Sequence, residues 1–172
     1  MPITLHDISI GTYTQILGAV AAFLEKGKQH CLAEDIDPDR LVERRLYDDM
    51  LPFRFQVISV AHHSMGCLKG LESGSFSPPA GYGEPDFDGL QQLIREAAAT
   101  VETYAERVDQ FAGRTVHFKL GEREIPFTAE NFVLTFSLPN FYFHATTAYD
   151  MLRMEGVPLG KRDFIGRMRI GA

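Results

Sequence analysis

The sequence predicts an all-α protein, a four-helix bundle with a small β-hairpin between its third and fourth helices. Four amphipathic stretches of about 20 to 28 residues follow one another along the chain, and helices of that length are the units of such bundles. The strand-prone runs are too short and too few for a central sheet. Because 172 residues is the size of one ordinary domain, we expect a single helical-bundle domain over residues 1–172.

The first predicted helix runs from Thr4 to about Gln29. Its apolar residues recur mostly three or four positions apart, and Thr4 with Asp7 resembles a capping box at its start. The acidic stretch at residues 34–40 follows, and Pro38 at its centre cannot continue a helix. We therefore expect a connector between the first and second helices.

The second predicted helix runs from about Leu51 to Ser73, with Pro52 tolerated in its first turn. Residues 74–86 are so rich in glycine and proline that they indicate an irregular loop. Asp86, at the end of this loop, can cap the helix that follows.

The third predicted helix, from Phe87 to Phe111, has the cleanest amphipathic pattern in the chain. The pattern then changes, because residues 115–120 and 123–127 are short β-prone runs around a turn at Gly121. Pro126 lacks a backbone N–H, so it would place the second run at a sheet edge. We expect a small hairpin that is an appendage to the bundle.

The fourth predicted helix begins near Thr128 or Ala129, is disturbed at Pro139, and continues to about Glu155. The tail at residues 157–172 is both basic and apolar, and it could wrap either the bundle or a partner subunit. Its basic side chains could bind an anion or complement an acidic surface; they are Lys161, Arg162, Arg167 and Arg169.

The composition argues against several classes of function. The chain has 17 Lys and Arg residues against 23 Asp and Glu, a net charge of −6, without the basic surface typical of nucleic-acid-binding proteins. We find no signal-peptide pattern and no uninterrupted apolar run of membrane-spanning length. Cys31 and Cys67 lack metal-type spacing, which favours reduced, buried thiols. We therefore expect a cytoplasmic protein without nucleic-acid or membrane partners.

Two adjacent histidines on the second predicted helix are candidates for a site inside the bundle. At about 100° per residue, His63 falls near the edge of the apolar stripe, beside Ser64, whereas His62 lies near the opposite face. His63 is therefore the better candidate ligand, and a register shift of one residue would exchange the two. The alternative is that one histidine is solvated and the other half-buried without any ligand.

Three polar residues form a ladder on the fourth predicted helix. Asn140, His144 and Thr147 are spaced at i, i+4 and i+7, along the flank of its apolar stripe. One helix supplies two metal ligands at such spacing, although an asparagine offers only oxygen. The alternative is a hydrogen-bonded polar patch under the kink at Pro139, where side chains satisfy freed backbone carbonyls.

Two stretches carry a resemblance to a known family. LYDDMLPFRFQV at residues 46–57 and SLPNFYFHATTAYDMLRMEGVPLGKRDF at residues 137–164 resemble the signatures of an uncharacterised bacterial family in the DinB/YfiT-like superfamily. With helices of matching length between them, the resemblance covers nearly the whole chain. It implies a DinB-like four-helix bundle.

The resemblance also implies a metal site. In that superfamily, bundles are often homodimers, and a histidine of the second helix joins a His-x-x-x-His pair of the fourth to bind nickel or zinc. By position, the second-helix ligand is His63, or His62 if the register slips, and His144 is the second histidine of the pair. Asn140 replaces the first one, so two imidazoles and an amide oxygen would form an incomplete site.

Two functions follow from these patterns. The first is a homodimeric bundle whose polar pocket between the second and fourth helices, lined by Ser64 and Thr147, carries the incomplete site and holds a small molecule or nothing. The second is a Zn- or Ni-dependent hydrolase or thiol transferase, which some superfamily members are thought to be, using His63, Asn140 and His144. Whether the protein is an enzyme, and whether any cofactor is bound, stays open at this level.

Overall fold

The computed structural model describes residues 3–171, and the predicted fold class is confirmed. The chain is mainly helical with one small sheet. The helices are α1 (Leu5–Ile8), α2 (Ile10–Ala33), α3 (Phe53–Ala61), α4 (Cys67–Ser73), α5 (Phe87–Thr103), α6 (Ala129–Asn131), α7 (Leu138–Met154) and α8 (Lys161–Ile165). Two π-helical segments, His62–Gly66 and Phe132–Ser137, join α3 to α4 and α6 to α7. Short 3-10 turns occupy Pro38–Leu41 and Val108–Phe111.

These elements make up four bundle helices. The first is α1 with α2, the second is α3 to α4, the third is α5 and the fourth is α6 to α7. The third packs against the first and the second, and the fourth packs against the first and the second. A continuous hydrophobic core runs between them.

The first bundle helix starts as predicted but ends later. The side chain of Thr4 accepts a hydrogen bond from the Asp7 N–H, and the Asp7 carboxylate accepts one from the Thr4 N–H, which completes the capping box. α2 continues to Ala33, beyond the expected end at Gln29, before Asp35 adopts a left-handed φ of 56°. By length and composition alone, Leu5–Ala33 could cross a membrane, but half of its apolar window is buried inside the protein, as in a core helix of a bundle.

The second bundle helix begins slightly later than predicted and the third is shorter. α3 begins at Phe53, so that Pro52 precedes the helix instead of lying in its first turn. α5 is capped by Asp86 as expected, yet it ends at Thr103 and not at Phe111. Val108 and Phe111 remain buried in a 3-10 turn, because their spacing of three fits that turn as well as an α-helix.

The sheet has three strands, one more than the predicted hairpin. β2 (Thr115–Leu120) and β3 (Arg123–Thr128) form that hairpin, and Pro126 lies on an edge strand as expected. β1 (Ser75–Phe76) pairs in parallel with β2, so the prediction of an irregular loop over residues 74–86 is wrong at its start. Phe76 is buried, so the sheet is packed against the bundle and is more than an appendage.

Candidate functional site

The two candidate histidines of the second bundle helix lie in its π-helical segment, His62–Gly66. The N–H of Cys67 donates to the carbonyl of His62, five residues back, so it does not reach the carbonyl of His63. The Ser137 hydroxyl from the fourth bundle helix donates to that freed carbonyl at 2.7 Å. Single π-helical turns of this kind often mark functional sites.

Ser137 also connects the site to the first bundle helix. The Tyr13 hydroxyl donates to the Ser137 oxygen at 3.1 Å, and both residues are fully buried. Burial raises the pKa of the neighbouring Cys67 thiol to about 11, so the thiol stays protonated and is not a nucleophile at neutral pH. Cys31 is also buried and free, as expected from the sequence. The hydrogen bonds from Tyr13 to Ser137 and from Ser137 to the His63 carbonyl therefore have a structural role: they support the backbone that carries His63.

His63 is buried against aromatic side chains. Its side chain is 6% exposed, and its ring lies 5.5 Å from Phe76 and 5.7 Å from Phe136, centroid to centroid. Its Nδ1 atom has no hydrogen-bond partner among residues 3–171. Burial, with smaller contributions from His62 and His144, lowers the pKa of His63 from 6.5 to about 3. His63 is therefore a neutral imidazole with an unpaired buried nitrogen, a costly arrangement unless something binds there.

His144 is held in one tautomer by Gln56. The Gln56 Nε2 group donates to the Leu51 carbonyl at 2.8 Å, which turns Oε1 toward the His144 Nδ1 atom, also 2.8 Å away. Nδ1 must then carry the proton and donate, so Nε2 keeps a free lone pair. Burial lowers the pKa of His144 from 6.5 to about 4. A ring N–H bound to a fixed oxygen is the arrangement that metal-binding histidines usually have.

The structure brings His63 and His144 together. Their ring centroids lie 6.0 Å apart, with 15° between the ring planes. Two imidazoles that bind one zinc ion tetrahedrally, through nitrogens at about 2.0 to 2.1 Å, place their centroids roughly 5 Å apart. A wider N–metal–N angle increases this separation to about 6.4 Å at most. At 6.0 Å the two rings are within reach of one shared metal ion, slightly wider than ideal tetrahedral geometry requires.

Asn140, the third predicted ligand, makes a hydrogen bond within its own helix. Asn140 is half-buried, and its Nδ2 group donates to the carbonyl of Phe136 at 2.8 Å. This is the bond expected from the alternative of a polar patch under the kink at Pro139, where a side chain satisfies a backbone carbonyl. Within residues 3–171, no group of three or more His, Cys, Asp or Glu side chains could hold a metal. The residues thus fit two imidazole ligands and offer no third strong ligand.

The register alternative, His62, lies outside the bundle core. Its Nε2 atom donates to the Ser77 carbonyl at 2.7 Å, and its Nδ1 atom accepts from the Tyr82 hydroxyl at 3.1 Å. Both ring nitrogens are therefore used by the loop after β1. His63 is the histidine that faces His144.

The two predicted pocket residues are buried but bonded within their own helices. The Ser64 hydroxyl donates to the carbonyls of Val60 and Ala61, and the Thr147 hydroxyl donates to that of Phe143. Neither hydroxyl is directed to a ligand in this arrangement. The sequence interpretation missed one residue of the site, Gln56, which binds His144. The only sequence signal for it is that a polar residue stands within the apolar stripe of the second helix.

Comparison with solved structures assigns the class of protein. The chain is similar to a solved DinB family member protein from Shewanella denitrificans, with a TM-score of 0.81 and 26% sequence identity over 98% of this chain and 95% of that chain. The fold is therefore that of the DinB-like helical bundles.

Residues 5–165 match the family described as a domain of unknown function, DUF1993. This protein belongs to the DUF1993 family. No curated protein matches the chain.

Proposed function

We propose that this DUF1993 protein is a homodimeric bundle that binds one divalent transition-metal ion, Zn or Ni, in a polar site between the second and fourth bundle helices. His63 and His144 would be its ligands, and the site is incomplete because it lacks a third strong ligand. The observation that carries the proposal is the 6.0 Å separation of the two rings together with the unpaired, buried Nδ1 atom of His63.

The protonation of the two histidines supports metal binding. A histidine binds a metal only as the neutral imidazole, so protons compete with the metal. The pKa values of His63 and His144 are lowered to about 3 and about 4 by burial, so both rings are neutral above about pH 5. Imidazole nitrogen also suits Zn and Ni better than Mg or Ca, which prefer oxygen.

The ligand chemistry of Asn140 favours binding over catalysis. A Zn- or Ni-dependent hydrolase or thiol transferase using His63, Asn140 and His144 would need the asparagine oxygen as a ligand. The Asn140 Nδ2 group donates to the Phe136 carbonyl, and its remaining amide oxygen is a weak ligand for Zn or Ni. Catalytic zinc sites usually have three strong protein ligands. We therefore expect an Asn140→Ala variant to keep its metal affinity within about twofold.

Exposed aromatic side chains near the site support a homodimer. Phe143 is 56% exposed with its ring 5.2 Å from that of His144, and the adjacent Tyr142 is 40% exposed. A second copy seated on this face would bury these side chains. We propose that it does, and sedimentation should then show a dimer at micromolar concentration, whereas a monomer would contradict it.

Metal binding is tested by competition with a chromophoric chelator, using the full chain without a histidine tag and Zn²⁺ or Ni²⁺ in turn. We expect one ion per chain, and His63→Ala or His144→Ala should weaken the affinity by about tenfold or more. His6→Ala is the control, because His6 lies on the half-exposed first turn of α1. Equal affinity of the His63→Ala and His6→Ala proteins would refute the proposal.

A further inference from the structure

A cavity of about 830 Å³ lies between α2 and the C-terminal segment, residues 161–171. It is within the size range of small-molecule sites. α2 supplies residues with little or no side chain: Gly11, Gly18, Ala19 and Ala22. The space over Gly18 is open, whereas the Arg169 guanidinium group lies over Gly11. The C-terminal segment supplies three arginines: Arg162, Arg167 and Arg169.

The C-terminal segment is anchored to α2 by specific contacts. The Gln15 Nε2 group donates to the Ile165 carbonyl at 2.9 Å, and the Lys26 ammonium group donates to the Asp163 carboxylate at 2.6 Å. Gly166 turns the chain with a φ of 62°, and a Cβ atom there would lie 3.0 Å from the Ala19 Cβ atom. The C-terminal segment is therefore anchored to α2 as far as Gly166.

The charges around the cavity are strongly one-sided. Although the chain has a net charge of −6, the one carboxylate of the lining, Asp163, is already paired with Lys26. In the described part of the chain, none of the three arginines lies within ion-pair distance of a carboxylate. Three arginines thus line the cavity, with the Arg169 guanidinium resting over Gly11, and the apolar lining includes Met168 and Ile170.

We propose that this cavity binds a small amphipathic anion, with a phosphate, sulfonate or carboxylate head group and an apolar body. Guanidinium groups bind such head groups through paired, charge-assisted hydrogen bonds. The apolar body would lie over Gly18 and Ala19, where an added Cβ at Gly18 meets no atom within 4 Å. The site is separate from the His63–His144 pair and does not depend on metal binding there.

The probe for this site is 8-anilinonaphthalene-1-sulfonate, an aromatic anion whose fluorescence rises on binding. Titration of the full chain should be saturable with one probe per chain. The double variant Arg167→Gln/Arg169→Gln should bind it at least about tenfold more weakly, since each charged hydrogen bond is worth about that much. The uncharged analogue N-phenyl-1-naphthylamine should bind more weakly than the anion.

The matched control removes two positive charges elsewhere. Arg95 and Arg123 are exposed and lie away from the cavity, so Arg95→Gln/Arg123→Gln should leave the affinity unchanged. A second variant, Gly18→Leu, fills the floor without removing charge, and it should also weaken binding about tenfold. Circular dichroism checks that each variant is folded. The proposal is overturned if both double variants bind the probe equally, or if Gly18→Leu has no effect.

Discussion

Acid should destabilise this protein through His63 and His144, because both imidazoles are buried and uncharged in the folded state. Burial lowers the pKa of His63 to about 3 and that of His144 to about 4, from a usual value of 6.5. As the pH falls below 6.5, the unfolded chain therefore binds protons that the folded chain does not. The free energy of unfolding should fall from about pH 6.5 down to about pH 4, where the folded state also becomes protonated.

The expected size of this effect follows from the same pKa values. Between pH 7 and pH 5, each histidine should cost about 2 kcal/mol of stability, and the pair about 4 kcal/mol. This is a large part of the stability of an ordinary domain.

Urea unfolding followed by far-ultraviolet circular dichroism measures this loss at pH 7, 6 and 5. The comparison is with the double variant His63→Phe/His144→Phe, whose rings suit the aromatic surroundings and do not titrate. The variant should lose about 4 kcal/mol less stability than the parent over this range. The remaining carboxylates and histidines are common to both proteins, so they cancel. Equal losses in the two proteins would refute the account of buried, neutral imidazoles.

Three further predictions concern stability at neutral pH, each measured by urea unfolding. Ser137→Ala should cost about 1 to 3 kcal/mol, because it leaves the buried carbonyl of His63 without its donor; a Ser137→Ala protein as stable as the parent would contradict this. Asp86→Ala should cost about 1 kcal/mol, because the Asp86 side chain accepts the Gly89 N–H at the start of α5. Gly18→Ala should add about 0.5 to 1 kcal/mol, since Gly18 is an exposed helical residue with open space around it.

The apolar periodicity was enough to predict the bundle and to favour His63 over His62 as the inward-leaning histidine, with their exchange left open. The pattern from Phe87 onward predicts an amphipathic helix, and α5 is that helix up to Thr103. Likewise, the rotation of 100° per residue placed His63 and His144 on faces that meet, and the rings do lie together. Periodicity works here because burial of apolar faces is the main determinant of helix packing.

The details that shape the site depend on contacts between distant residues. The π-helical segment at His62–Gly66 shows no sequence signal, because its freed carbonyl is satisfied by Ser137, far along the chain. β1 was missed for a similar reason, since Ser75–Phe76 is too short for an alternating pattern and exists through its pairing with β2. Gln56 stands in an apolar stripe, and only the fold shows that it holds His144.

The most direct test of the central claim is anomalous diffraction at the zinc absorption edge from crystals of the full chain grown with Zn²⁺. If the two histidines share the ion, one anomalous peak lies between the rings, about 2.0 to 2.2 Å from the His144 Nε2 atom and from a nitrogen of His63. Peaks only at other histidines, or an ion bound by His144 without His63, would contradict it.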